Sequence, residues 1–311
     1  MVSLQAVQQS NARIASTLPQ GLVALFLGAT SGIGQSTLQH FVQNAPPSPR
    51  IYSVARPQSV ASHEALLTSL RESSPSANIS LITADVSLVS EVDRVVKEIT
   101  QQETKLDLLV MSPGFMAFEG RTETREGLEP SMSTRFYSRQ RAVEQLAPLL
   151  NKAPNPRVLT VLAGGLEGDI DVRDLDLKDP RRWHFWTASV HATAMHTLAL
   201  ERVAAAHPRL SIVHWFPGTA TQEEAGARGL FLATSDRFGA HGGLVPTPQG
   251  LGPAQKSGGG IFLADPKCEP TDNEQVLGGM RSKGVDKTVW EHTQKTFARI
   301  AGSEASSKDE L

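Results

Sequence analysis

The residues whose spacing best suits chemistry are Gly28-Ala29-Thr30-Ser31-Gly32-Ile33-Gly34, which follow the apolar run Leu22–Leu27 and lead into a helical pattern. Glycine there gives the φ freedom of a tight turn and lets backbone approach a pyrophosphate. The helix start then offers free N–H groups to the anion. This predicts dinucleotide binding, with Gly28, Ser31, Gly32, Ile33 and Gly34 around the phosphates. Arg56 lies 22 residues beyond Gly34, where an acid would take the ribose 2′-hydroxyl of NAD. No Asp or Glu stands between Ile51 and Gln58, and a guanidinium suits a 2′-phosphate, so the expected cofactor is NADP.

The elements that must hold these residues follow an alternating pattern. Short β-rich apolar runs recur at Leu22–Leu27, Arg50–Val54, Ile79–Thr83, Leu106–Met111, Arg157–Leu162, Ser211–Phe216 and Gly260–Leu263, with helical stretches between. Near-continuous apolar strands are buried on both faces. The expected fold is therefore α/β, a doubly wound Rossmann-type parallel sheet of about seven strands in a single domain, residues 1–311. Helices are expected over Leu88–Gln102, opened by Ser87 and Glu91, and over Thr122–Asn151, interrupted near Pro130. A C-terminal extension follows the last strands. Residues 233–259, rich in Gly, Pro, Ser and Gln, read as a flexible loop or lid near the ligand, Asp286–Ile300 as an amphipathic helix, and 302–311 as a disordered tail.

Composition narrows the partners. A net charge of -2 gives no basic field for nucleic acid, so a small-molecule substrate is expected. Cys268 is the only cysteine, which rules out an internal disulfide, and no Cys/His cluster has metal-ligand spacing. The polar first twenty residues lack the layout of a signal peptide, and no apolar run reaches the roughly 20 residues of a membrane span. A cytoplasmic location is expected, although the chain ends in Lys308-Asp309-Glu310-Leu311, which matches an endoplasmic-reticulum retrieval address.

The spacing Gly-x-x-x-Gly-x-Gly resembles that of the short-chain dehydrogenase/reductase family, and the resemblance continues along the chain. Asp85-Val86 is similar to the family's adenine-contacting pair, Ser112-Pro113-Gly114 stands where the family carries Asn-Ala-Gly, and Pro217-Gly218 with Thr221 is similar to its nicotinamide-side turn. The family's acid–base set is another matter. A Tyr with a Lys four residues later is expected near Trp183 or His184 and Thr187 or Ala188, a Ser at Ala163, and an Asn near Thr134 or Arg135, and none is there. Candidate replacements are Tyr137, whose pKa Arg135, Arg139 and Arg141 would lower, and His191, at the start of the helix bordering the cleft. His184, the acids Glu167, Asp169 and Asp171, and the aromatic cluster Trp183, Phe185 and Trp186 are weaker candidates. The acids read as solvated, and the aromatics either wall a pocket or anchor a loop.

Four longer segments, Phe136-Tyr137-Ser138-Arg139, Val161-Leu162-Ala163-Gly164-Gly165, His191-Ala192-Thr193-Ala194-Met195 and Val289-Trp290-Glu291-His292-Thr293, resemble an atypical fungal subgroup of the family associated with secondary metabolism. That subgroup tends to lack the Tyr-Lys pair. The resemblance implies an NADPH-dependent oxidoreductase acting on a polyketide- or alkaloid-like carbonyl compound. It also implies a homodimer through the long helices flanking the fifth strand, one face of which the C-terminal extension would block. A redox-neutral isomerase or cyclase, and a non-catalytic cofactor-binding protein, remain the alternatives.

Overall fold

The seven apolar runs become β1 Val23–Leu27, β2 Arg50–Ala55, β3 Asn78–Thr83, β4 Leu108–Met111, β5 Arg157–Val161, β6 Ser211–Trp215 and β7 Phe262–Ala264. In this computed structural model, which describes residues 1–308, they pair as one parallel sheet in the order β3-β2-β1-β4-β5-β6-β7. Strands β1, β4, β5 and β6 are buried along their whole length because helices cover both faces. Alternation divides their side chains: Val23, Leu25 and Leu27 enter one core, Ala24 and Phe26 the other.

The helices are α1 Leu4–Asn11, α2 Ile14–Thr17, α3 Gly32–Asn44, α4 Val60–Ser73, α5 Val89–Gln102, α6 Pro130–Met132, α7 Ser138–Leu150, α8 Phe185–Ala206, α9 Gln222–Thr234, α10 Glu274–Ser282 and α11 Val285–Lys308, with a π-helical turn, Ser133–Tyr137, between α6 and α7. Helices α3 and α9 cover one face of the sheet, and α5, α7 and α8 the other. Helix α5 forms because Val89, Val92, Val96 and Ile99 recur at three- and four-residue steps, giving one apolar stripe. Each such burial contributes about 1.5–3 kcal/mol.

Several expectations are corrected. Ser87 does not cap α5. Its backbone N–H is taken by Asp85, and the Glu126 carboxylate accepts from Val89 N at 2.7 Å and Ser90 N at 3.0 Å instead. The stretch expected to be helical from Thr122 starts only at Pro130, which suits a first helical position, and Glu129 caps it by accepting from Met132 N. Residues 233–259 do not form a lid over the expected ligand. Their first part wraps the amino ends of the strands, where the buried Arg157 guanidinium donates to the Ser235 and Phe238 carbonyls and Asn155 to that of Gly243. The terminal helix runs to Lys308, past Gly302 where a disordered tail was expected, while residues 309–311 of the terminal tetrapeptide lie outside the described residues.

Helix α11 docks on the outer side of α7 and α8. The Arg141 guanidinium lies 5.0 Å over the Phe297 ring, and Arg202 pairs with Asp286 at 2.9 Å. The chain's own α11 therefore covers part of the face that the resemblance assigns to a homodimer. No helix among the described residues is long and apolar enough to cross a membrane.

Candidate active site

The chain leaves β1 through Gly28 at φ 82° and enters α3 at Gly32 with φ 59°. Packing demands glycine here as much as φ does. A Cβ on Gly28 would lie 2.3 Å from Pro113 N, and one on Gly34 would lie 2.3 Å from the Gly28 carbonyl oxygen, whereas Gly32 faces open space. That open space belongs to a cavity of about 700 Å³ at the carboxyl ends of the strands. Gly28, Ser31, Gly32, Ile33, Arg56, Asp85, Val86, Ser112 and Gly114 line it together. Gly34 lies beneath the turn and not on the lining. Pro217, Gly218 and Thr221 are not brought to this cavity. They stand beyond β6, where Thr221 caps α9 by accepting from Glu224 N at 3.2 Å, and the Gly218 turn packs against Pro266.

Arg56 is exposed just past the end of β2, where its Nε donates to Ser59 Oγ at 3.5 Å. Among the described residues no carboxylate pairs with it. Asp85 turns inward to accept from Ser87 N at 3.0 Å, which shapes the β3 exit. The sequence reading missed Phe115, Met116, Pro130 and Thr134, which also line the cavity. Most of these stand in or beside the irregular stretch between β4 and α6, where no periodicity marks them.

The proposed catalytic residues are both displaced from the cavity. Tyr137 is buried, and its hydroxyl donates to Asp176 Oδ1 at 2.5 Å and lies 2.8 Å from His292 Nε2. Burial, then the Asp176 charge, pushes its pKa well above 10, the reverse of the lowering expected from the arginines. His191 is buried, its Nε2 has no hydrogen-bond partner among the described residues, and burial pulls its pKa down to about 4. Such a group stays neutral near pH 7. Trp183 is packed into the core ahead of α8, and His184 is the residue before its first turn. The four-residue pairs that open α8 are thus Phe185 with Ser189 and Trp186 with Val190, and neither contains Tyr or Lys. Of the aromatic cluster, Trp183 packs into the core, while Phe185 and the exposed Trp186 meet with ring centroids 5.0 Å apart in the first turn of α8.

Two of the three arginines around Tyr137 are buried. Arg135 donates to Ser189 Oγ at 2.7 Å and to the Phe115 carbonyl at 2.8 Å, beside the cavity. Arg139 reaches the carboxyl ends of β4 and β5, donating to Thr160 Oγ1 and the Val161 carbonyl, each at 2.8 Å, the Thr134 carbonyl at 3.0 Å, and the Pro113 carbonyl. Glu167 is also buried instead of solvated, accepting from Thr197 Oγ1 at 2.7 Å and Asn273 Nδ2 at 3.0 Å.

Beside it, His214 Nε2 accepts from Ala163 N at 3.3 Å, so the ring proton sits on Nδ1 and goes to Thr197 Oγ1 at 2.9 Å. A second ring proton would point at an N–H group. Burial accordingly pulls His214 down to about 3 and His196 well below its ordinary value.

These histidines make stability fall with acid. Their folded pKa values lie below the unfolded value near 6.5, so the unfolded chain binds more protons as pH drops below that point. By pH 5 His191 and His214 each cost the fold about 2 kcal/mol. Glu201 works the other way: burial raises its pKa to about 7, so the folded state takes its proton first and regains about 2 kcal/mol over the same range. Urea unfolding is expected to give a free energy lower at pH 5 than at pH 7 by about 2 kcal/mol or more, and equal values would refute the buried neutral histidines.

A sequence profile described as short chain dehydrogenase matches residues 22–165. The NmrA-like family domain-containing oxidoreductase notO of Aspergillus sp. (strain MF297-2) is 58% identical, covering 100% of both chains. The short-chain dehydrogenase/reductase SAT2 of Stachybotrys chartarum (strain CBS 109288 / IBT 7711) is 30% identical over 98% of this chain and 99% of its own. Among solved structures, a metagenomic short-chain oxidoreductase in complex with NADP superposes with a TM-score of 0.56 at 14% identity, covering 80% of this chain and 99% of that one. Strand order, glycine turn and full-length relatives agree, and the chain belongs to the short-chain dehydrogenase/reductase family of oxidoreductases.

Proposed function

We propose that the protein binds NADPH in the cavity at the ends of β1 to β4 and reduces, or forms, a carbonyl group on a polyketide- or alkaloid-like intermediate of secondary metabolism. The observation that carries this reading is the meeting, in one cavity, of the glycine turn, the Asp85-Val86 turn and an arginine with no carboxylate partner. The open face of Gly32 and the start of α3 suit a pyrophosphate, and Arg56 suits a 2′-phosphate. The fungal relatives, and the resemblance of the four segments to the secondary-metabolism subgroup, support the substrate class.

A nucleotide held by the glycine turn, Arg56 and Asp85 would supply hydride chemistry to a substrate carbonyl, whose oxygen would take its proton from water in the open cavity. Arg135, buried beside the cavity and donating to Ser189 Oγ and the Phe115 carbonyl, is the cation whose field would favour charge developing on that oxygen. A second reading, a redox-neutral isomerisation or cyclisation, is favoured by one feature: no tyrosine, lysine or histidine lines the cavity among the described residues. Substrate-dependent loss of NADPH absorbance separates it from reduction. Product without such loss would favour it, and neither would leave a cofactor-binding protein.

The cofactor is tested by calorimetric titration with NADPH and NADH. Removing the guanidinium in Arg56→Ala is expected to weaken NADPH about 10- to 100-fold, the worth of one charge-assisted contact, and NADH hardly at all. Equal losses for both nucleotides would remove Arg56 from the 2′-phosphate.

A further inference from the structure

Eight large hydrophobic side chains are exposed among the described residues, and two of them, Met1 and Leu4, belong to the chain's start. The other six are Phe115, Met116 and Phe118 after β4, Leu166 and Val172 after β5, and Trp186 in the first turn of α8. Exposed apolar residues scattered singly mean little, but their gathering on the connections at one edge of the sheet marks a binding surface.

Ring contacts join the connections. Phe185 lies 4.8 Å from Phe118 and 5.0 Å from Trp186 between ring centroids, and the Arg135 guanidinium braces it at 5.0 Å. Phe118 and Trp186 are 73% and 76% exposed, so the wall has no cover of its own. At its other end, Phe115 and Met116 line the cofactor cavity as well. Whatever rests on the wall therefore also reaches the cavity.

Most of the charges nearby are already matched. Arg173 pairs with Asp171, Arg181 with Asp179, and Arg182 with both. Arg135 is engaged by Ser189 and the Phe115 carbonyl. Glu119, exposed beside Phe118 with no ion pair among the described residues, disfavours an anionic ligand, and the buried Arg135 guanidinium against Phe185 disfavours a cationic one. Successive aromatic faces reward flat, rigid surface, whereas a flexible chain would lose rotamer freedom on the same wall.

We propose that this wall is the substrate site and that it takes a neutral substrate with a rigid body of fused rings. The ring system lies on Phe118, Phe185 and Trp186, and the reacting carbon points to Phe115 and Met116. The assignment rests on the oxidoreductase reading for which atom reacts, and on the wall itself for what binds.

The test uses the full chain saturated with NADPH and three ketones of rising size, acetophenone, 2-acetonaphthalene and 2-acetylphenanthrene, followed by calorimetry and by NADPH absorbance. Affinity is expected to rise about 10-fold or more from one ring to three as apolar area is buried. Phe118→Ser and Trp186→Ser, both at exposed positions where folding is not at stake, are each expected to weaken the three-ring ketone about 10-fold with NADPH affinity unchanged. Size-ordered binding without NADPH consumption supports the wall and removes reduction. Consumption with kcat/KM independent of ring number overturns the wall and keeps reduction. Flotation with phosphatidylcholine vesicles that depends on Phe118 and Trp186, without discrimination among the ketones, would make the patch a membrane contact and overturn the proposal.

Discussion

Replacing Arg139 with methionine is expected to lower the free energy of unfolding by about 3–5 kcal/mol, although the substitution removes a buried charge that no carboxylate compensates. Two terms oppose each other. Burial works against the guanidinium, pulling its pKa down to about 9, with Arg135 adding to the effect, so its loss relieves the fold. Against that, the Thr134, Pro113 and Val161 carbonyls and the Thr160 hydroxyl lose their donor at once. Each buried acceptor left unpaired costs about 1–3 kcal/mol, and three or four together outweigh the relief. Methionine retains the apolar stem, so cavity formation adds little. Arg139→Lys, with three donors for these acceptors, should fall between the two. Urea denaturation followed by circular dichroism reads the result, and a methionine variant as stable as the parent would mean that these carbonyls find other partners.

Gly28→Ala is expected to weaken NADPH binding about 100-fold or more, the scale of loss that a displacement of about 1 Å in a binding site can cause. The added Cβ would sit 2.3 Å from Pro113 N and 2.5 Å from Pro113 Cα, and backbone atoms cannot swing aside as a side-chain tip can. The residue also holds φ 82°, which costs an alanine about 1–2 kcal/mol. To clear the contact, the β4 exit must move, and with it the Ser112-Pro113-Gly114 wall of the cavity. Gly32→Ala separates the two causes. Its Cβ meets nothing within 4 Å, so only the backbone strain at φ 59° remains. Thermal unfolding of both variants beside calorimetric titration distinguishes loss of the site from loss of the fold. A Gly28 variant that binds NADPH normally would show that the turn has more slack than the packing allows.

The strand runs, the fold class and the glycine turn were legible in the chain because they are local. Continuous apolar runs such as Leu22–Leu27 and Ser211–Phe216 are what a strand buried on both faces requires, and a turn glycine is demanded by φ within a few residues of the strand it follows. The places of Arg56 and Asp85 at the cavity were legible for the same reason, since strand ends in a parallel sheet open at the same end. Only the tertiary structure decided what each remaining polar group faces. Tyr137, His191, Arg135, Arg139 and Glu167 read alike as polar residues on helices or loops, yet the fold buries them among different partners: Asp176 and His292 for Tyr137, five acceptors for Arg139, and none among the described residues for His191 Nε2. The place of residues 233–259 was hidden too, because composition reports a loop but not which end of the sheet it wraps. A residue's own type and spacing dictate its backbone, whereas its pKa and its access to a cleft depend on neighbours tens to hundreds of positions away, brought together only when the sheet and its helices close.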